Sequence, residues 1–183
     1  RKRRRKWMDF EPHILAVAFW LKLAGLSVLV YAGVLIARAW PGILAWAGAD
    51  RETRIAQAIA TGGLAAGSVL LTIGLGLERF KTWGRLAAAA VLGTMLATAA
   101  GSILLSGDTR DRIRALLAAG LCLAMLLTIL GKSARVICKR DYETVVLGTP
   151  NLAPRMRSSP LFSVPMSIAV AVAAIEWAVH KLG

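Results

Sequence analysis

Apolar runs of about twenty residues, separated by short clusters of charge, constrain this chain more than any motif in it. The runs are Ile14 to Ala37, Ile55 to Leu77, Leu86 to Leu105, Ala115 to Gly131 and Leu161 to Leu182. Each approaches the length a helix needs to cross about 30 Å of hydrocarbon. A backbone in lipid must satisfy its own hydrogen bonds, so such runs read as helices. Apolar residues make up 57% of the 183 positions, and mean hydropathy is +0.61. The predicted fold class is therefore all-α: a polytopic transmembrane helical bundle of about five spans. Its predicted parts are a basic segment 1–13, a four-span bundle 14–133, an amphipathic helix and Pro/Arg-rich strap 134–160, and a final transmembrane helix 161–183.

The formal charge of +13 would point a soluble chain toward nucleic acid. Placed directly before a span, the run Arg1, Lys2, Arg3, Arg4, Arg5, Lys6 reads instead as an anchor that resists translocation and attracts anionic head groups. No nucleic-acid partner is expected. The run from Ile14 is too long for the apolar core of a signal peptide. Because the first residue is Arg1, an upstream segment is also expected.

Counting Lys and Arg sets the orientation. With the N-terminus cytoplasmic, fifteen fall on that side (residues 1–6, 79–85 and 132–157) and seven on the other, with Lys22 inside a span. The bias predicts an N-in, C-out protein. Pro41 and Gly42 are expected to end the first helix, leaving "GILAWAG" along the interface with Trp46 at head-group depth. Asp108 is placed to cap the fourth span.

Small residues recur along two spans. Gly63 and Gly67 form a Gly-x-x-x-Gly step, and Gly93, Ala97 and Gly101 repeat every four residues, a pattern that lets helix backbones approach closely. They are the candidate packing positions. Ionisable residues within spans are the candidate chemistry, because burying a charge there costs about 2.5–3.5 kcal/mol. Lys22 and Glu176 qualify. They could form a proton or ion path, or each could extend toward its nearer interface.

Enzyme readings find little support. His13 and His180 fall on opposite sides of the predicted topology, with no nucleophile motif beside either. His13 alone could serve as an axial ligand to a pigment or haem, but its position at a span entrance reads first as an interface residue. No metal-ligand spacing is present, and no cofactor is expected. Cys122 and Cys138 are expected to stay reduced.

Beyond the fourth span, "GKSARVICKRDYETVV" keeps helical spacing, with Ala134, Ile137, Cys138, Tyr142, Val145 and Val146 on one side. A cytoplasmic helical continuation is predicted, then a strap stiffened by Pro150, Pro154 and Pro160. Lys139, Arg140, Arg155 and Arg157, with Arg1 to Lys6, are the candidate contacts to lipid head groups or a partner.

The stretch "SARVICKRDYETVVLGTPNLAPRMRSSP", with its Tyr-x-x-Val-Val-x-x-Thr-Pro pattern, resembles a segment of small prokaryotic multi-span inner-membrane proteins of unassigned function. "ERFKTWGRLAAAAVLG" resembles the basic entry to a span in such proteins. The resemblance covers about the second half of the chain and implies an inner-membrane helical protein of prokaryotic type. It carries over no activity and no site residues.

The expected role is a non-catalytic membrane subunit or anchor that packs against other subunits or itself and tethers a soluble part. One alternative is a small proton- or ion-coupled transporter or pore using Glu176 and Lys22. Another is a membrane effector domain of a protein whose N-terminal part is missing.

Overall fold

The computed structural model describes residues 10–43, 51–105, 107–138, 159–168 and 170. Among these every regular element is a helix: α1 (Glu11–Ile43), α2 (Arg51–Glu78), α3 (Thr82–Leu105), α4 (Thr109–Leu130) and the short α5 (Lys132–Ile137). Residues 160–168 are also helical. Four stretches, Glu11–Ala37, Arg54–Glu78, Thr82–Leu105 and Thr109–Leu130, are long and apolar enough to cross a membrane. Most of the expected fifth span, including Glu176, lies outside the described residues, as do Trp46, Tyr142, Val145 and Val146.

The helices outrun the apolar segments. α4 begins at Thr109, not Ala115, because Asp108 adopts an extended conformation and accepts a hydrogen bond from the Arg110 N–H at 3.1 Å, closing the helix start. The turn from Thr109 to Arg114 is polar and exposed, yet helical. Two sequence expectations are corrected. α1 runs through Pro41 and Gly42 to Ile43; so near a helix end, a proline forfeits only one backbone bond. The helix after α4 is not continuous with it, because Gly131 (φ −54°, ψ 151°) leaves helical geometry and divides α4 from α5.

Contacts divide the chain into two compact units, residues 18–75 and residues 1–17 with 76–183. In the first, α1 and α2 run antiparallel along a seam of small residues. Ala18, Gly25 and Ala32, seven apart on α1, meet Gly74, Gly67 and Gly63 on α2. A Cβ added at Gly25 would lie 2.8 Å from the Gly67 carbonyl oxygen, and one at Gly67 would lie 2.7 Å from Leu29 Cγ. Such approach lets dispersion and backbone contact hold helices together in a medium that supplies no hydrophobic drive.

In the second unit α3 and α4 form an antiparallel hairpin joined through residues 107–108. Ala88 and Leu92 on α3, with Met125 and Ile129 on α4, are buried, each pair one helical turn apart. The outer faces carry exposed Leu86, Leu104, Leu105, Leu116, Leu117 and Leu127.

Between α2 and α3 the chain turns sharply. The Phe80 N–H donates to the Leu77 carbonyl (2.9 Å) and the Lys81 N–H to the Gly76 carbonyl (3.0 Å). These are the paired bonds of a Schellman motif, with Phe80 in the left-handed position usually given to glycine. Phe80 has φ 53°, and its side chain is only 3% exposed. The left-handed backbone costs about 1–2 kcal/mol in an L-residue, and ring burial offsets it. α3 then lies directly on the end of α2: a Cβ at Gly84 would stand 2.5 Å from the Gly76 carbonyl carbon.

Candidate interaction site where the helix ends are tied

Two polar contacts between segments distant in sequence lie at the end of the α3–α4 hairpin occupied by Thr82 and Leu130. The Thr82 hydroxyl donates to the Cys138 carbonyl at 2.6 Å, tying the end of α5 to the start of α3. The second tie joins the start of α1 to Ser159. His13 Nδ1 lies 2.7 Å from Ser159 Oγ, and the Phe10 ring meets the imidazole edge-on, with centroids 5.4 Å apart. A Cβ at Gly131 would lie 4.0 Å from Phe10 Cζ, so the same corner also reaches the α4–α5 break.

Ser159 is fully buried and has two duties. Its Oγ accepts the Leu161 N–H at 3.3 Å, and its carbonyl accepts the N–H groups of Phe162 and Ser163. Ser159 followed by Pro160 is the preferred chemistry for a helix start: a capping hydroxyl, then a residue with no N–H to satisfy. With its oxygen engaged on two sides and shut from solvent, Ser159 is a tether and cap. The imidazole nitrogen facing it is occupied likewise.

On α5, Ala134, Ile137 and Cys138 are buried while Lys132 and Arg135 are exposed. Burial pushes the Cys138 thiol up to about 11, against a smaller downward pull from the Arg85 guanidinium. Arg85 Nε is closed off from solvent and meets no hydrogen-bond acceptor. Glu11, 2% exposed, sits in the first turn of α1, where a carboxylate favours the positive end of the helix dipole.

The sequence candidates fall in different places. Gly63 and Gly67 abut α1, whereas among the described residues no other helix comes within 4 Å of a Cβ placed at Gly93 or Gly101, and Ala97 is exposed. Lys22 lies in α1 with its stem against Gly74, 2.5 Å from a built Cβ there. Glu176, Arg1 to Lys6, Lys139, Arg140, Arg155 and Arg157 lie outside the described residues. No group of three or more His, Cys, Asp or Glu residues able to hold a metal occurs among the described residues. The His13–Ser159 tie was not found from sequence; the "SSP" tripeptide signals a helix start, but nothing local to it names His13.

Four helices long and apolar enough to cross a membrane, with exposed apolar outer faces, fit the class of helical membrane proteins. Comparison with known protein families, with characterised proteins and with solved structures gave no match to the chain.

Proposed function

We propose that the chain is a non-catalytic integral membrane subunit or anchor, working by helix packing and by holding its cytoplasmic segments at the surface of an inner (plasma) membrane. In this reading the N-terminus is cytoplasmic and residues 161–182 form a fifth span. The observation that carries it is a face of α3 that no other described helix covers. Gly93, Ala97 and Gly101 repeat there every four residues, and among the described residues no other helix lies against the two glycines. Beside them the hydroxyls of Thr94, Thr98 and Ser102 bond back to their own helix at 2.8, 2.9 and 3.0 Å. The face is smooth and self-satisfied, as a helix–helix interface in lipid requires.

The test is purification in a mild detergent followed by identification of bound protein. A reproducible partner or self-association, lost in Gly93→Leu/Gly101→Leu while membrane insertion persists, supports the reading. Isolation as a monomer with no companion from native membranes overturns it.

A further inference from the structure

The two ends of the α3–α4 hairpin differ in how their cations are compensated. At the end begun by Thr109, Arg110, Arg112 and Arg114 are accompanied by Asp108 and Asp111, and Arg114 lies 3.5 Å from Asp111. At the other end, residues 76–85 and 131–138 carry Arg79, Lys81, Arg85, Lys132 and Arg135 against one carboxylate of their own, Glu78, with the buried Glu11 at the nearby start of α1. None of Arg79, Arg85, Lys132 and Arg135 is in an ion pair within the described residues.

The fold brings these cations to one corner. Thr82 lies three residues from both Arg79 and Arg85, and its bond to the Cys138 carbonyl places α5, with Arg135 one turn back, against that start of α3. The apolar outer surface begins immediately beside them, at Trp83 (47% exposed), Leu86 (57%) and Leu130 (49%). Uncompensated cations bordering a lipid-facing apolar surface, with an exposed tryptophan at the boundary, are at the depth of lipid phosphates.

We infer that the α2–α3 turn and α5 form a seat for the phosphate of an anionic phospholipid, held by Arg79, Arg85, Lys132 and Arg135 while its acyl chains lie along the hairpin. A free phosphate would satisfy the cations alone; the adjoining apolar face favours the lipid. The inference is independent of the subunit proposal, since a chain that purifies alone can still hold this lipid.

The full chain in neutral detergent is titrated with phosphatidylglycerol, with phosphatidylcholine of the same acyl chains, and with inorganic phosphate. Melting temperature and retained lipid by native mass spectrometry are read. Phosphatidylglycerol should raise the melting temperature and remain bound, with little response to the other two. In Arg79→Gln/Arg85→Gln/Lys132→Gln/Arg135→Gln its apparent affinity should fall about fivefold per charge removed, corresponding to about 1 kcal/mol each. The exposed pair Lys132→Gln/Arg135→Gln gives a two-charge reading if the fourfold variant does not fold. Arg110→Gln/Arg114→Gln, at the other end, should leave the response unchanged. Equal responses to both lipids, an equal response to inorganic phosphate, or undiminished affinity in the two-charge variant overturns the inference.

Discussion

His13 and Ser159 stand 146 positions apart in the chain, yet Nδ1 of one lies 2.7 Å from Oγ of the other. The bond ties the start of the first span to the cap of the last described helix. Ser159 also holds the Leu161 N–H, so its loss removes two interactions and loss of His13 only one of them. Ser159→Ala should cost about 2 kcal/mol, from about 1 for the cap and about 1 for the tie, and His13→Ala less. A double-mutant cycle by reversible unfolding in mixed micelles should give a coupling of about 0.5–1.5 kcal/mol. Additive losses would mean that the pair does not act as a tether.

Phe80 should reverse a common ranking. Glycine in place of alanine ordinarily destabilises, but at a φ of 53° alanine keeps the backbone cost while both substitutions lose the buried ring. Phe80→Ala should therefore be the worse of the two, by about 1 kcal/mol, with both well below wild type. Equal stability of the two variants by thermal unfolding would remove the case for strain at this turn.

Glycines in close contact and glycines facing open space should respond oppositely to a methyl group. Gly84→Ala and Gly67→Ala push a Cβ into contacts of 2.5 and 2.7 Å, and overpacking of this kind costs about 1–3 kcal/mol. Gly93→Ala and Gly101→Ala meet open space among the described residues and should be neutral or stabilising by up to about 1 kcal/mol in a monomeric preparation. Melting temperatures of the four variants, measured together in one detergent, decide the matter.

Cys138 should be chemically silent in the folded protein. Its thiol is 1% exposed and pushed up to about 11, so maleimide labelling at pH 7–8 in a Cys122→Ser background should require unfolding. The sign of the pH dependence follows. An unfolded chain releases this proton near its ordinary pKa of about 8.5, while the folded chain keeps it until about 11. Between those values the folded state binds more protons, so stability falls as pH rises through the window. Cys138→Ala should remove that part of the alkaline loss, as measured by unfolding between pH 8 and 11.

The spans could be read from sequence because crossing lipid demands length and apolarity, and both are one-dimensional properties. The Asp108 cap was legible for a related reason: its hydrogen bond reaches only two residues along the chain. Gly63-x-x-x-Gly67 and Gly93-x-x-x-Ala97-x-x-x-Gly101 looked alike, yet only the first has α1 laid across it; periodicity reports a smooth face and not its neighbour. The α1 half of that seam, Ala18, Gly25 and Ala32, went unnoticed because its spacing is seven. The Phe80 turn was hidden because left-handed positions advertise themselves through glycine, and here the glycine of "ERFKTWGR" serves close packing instead. Thr82 with Cys138, and His13 with Ser159, depend on which helix ends meet, which no local pattern encodes.

The break at Gly131 has a mechanical consequence. α4 closes with the Gly131 N–H on the Leu127 carbonyl, and α5 opens with the Arg135 N–H on the Gly131 carbonyl, so a single residue joins two separately completed helices. α5 is thus jointed to α4 at Gly131, while its far end is held by the Thr82 hydrogen bond and by the burial of Ala134, Ile137 and Cys138. Thr82→Val would remove the polar part of that hold and leave the apolar part, a change that paired spin labels on α3 and α5 would register as a modestly broadened distance distribution.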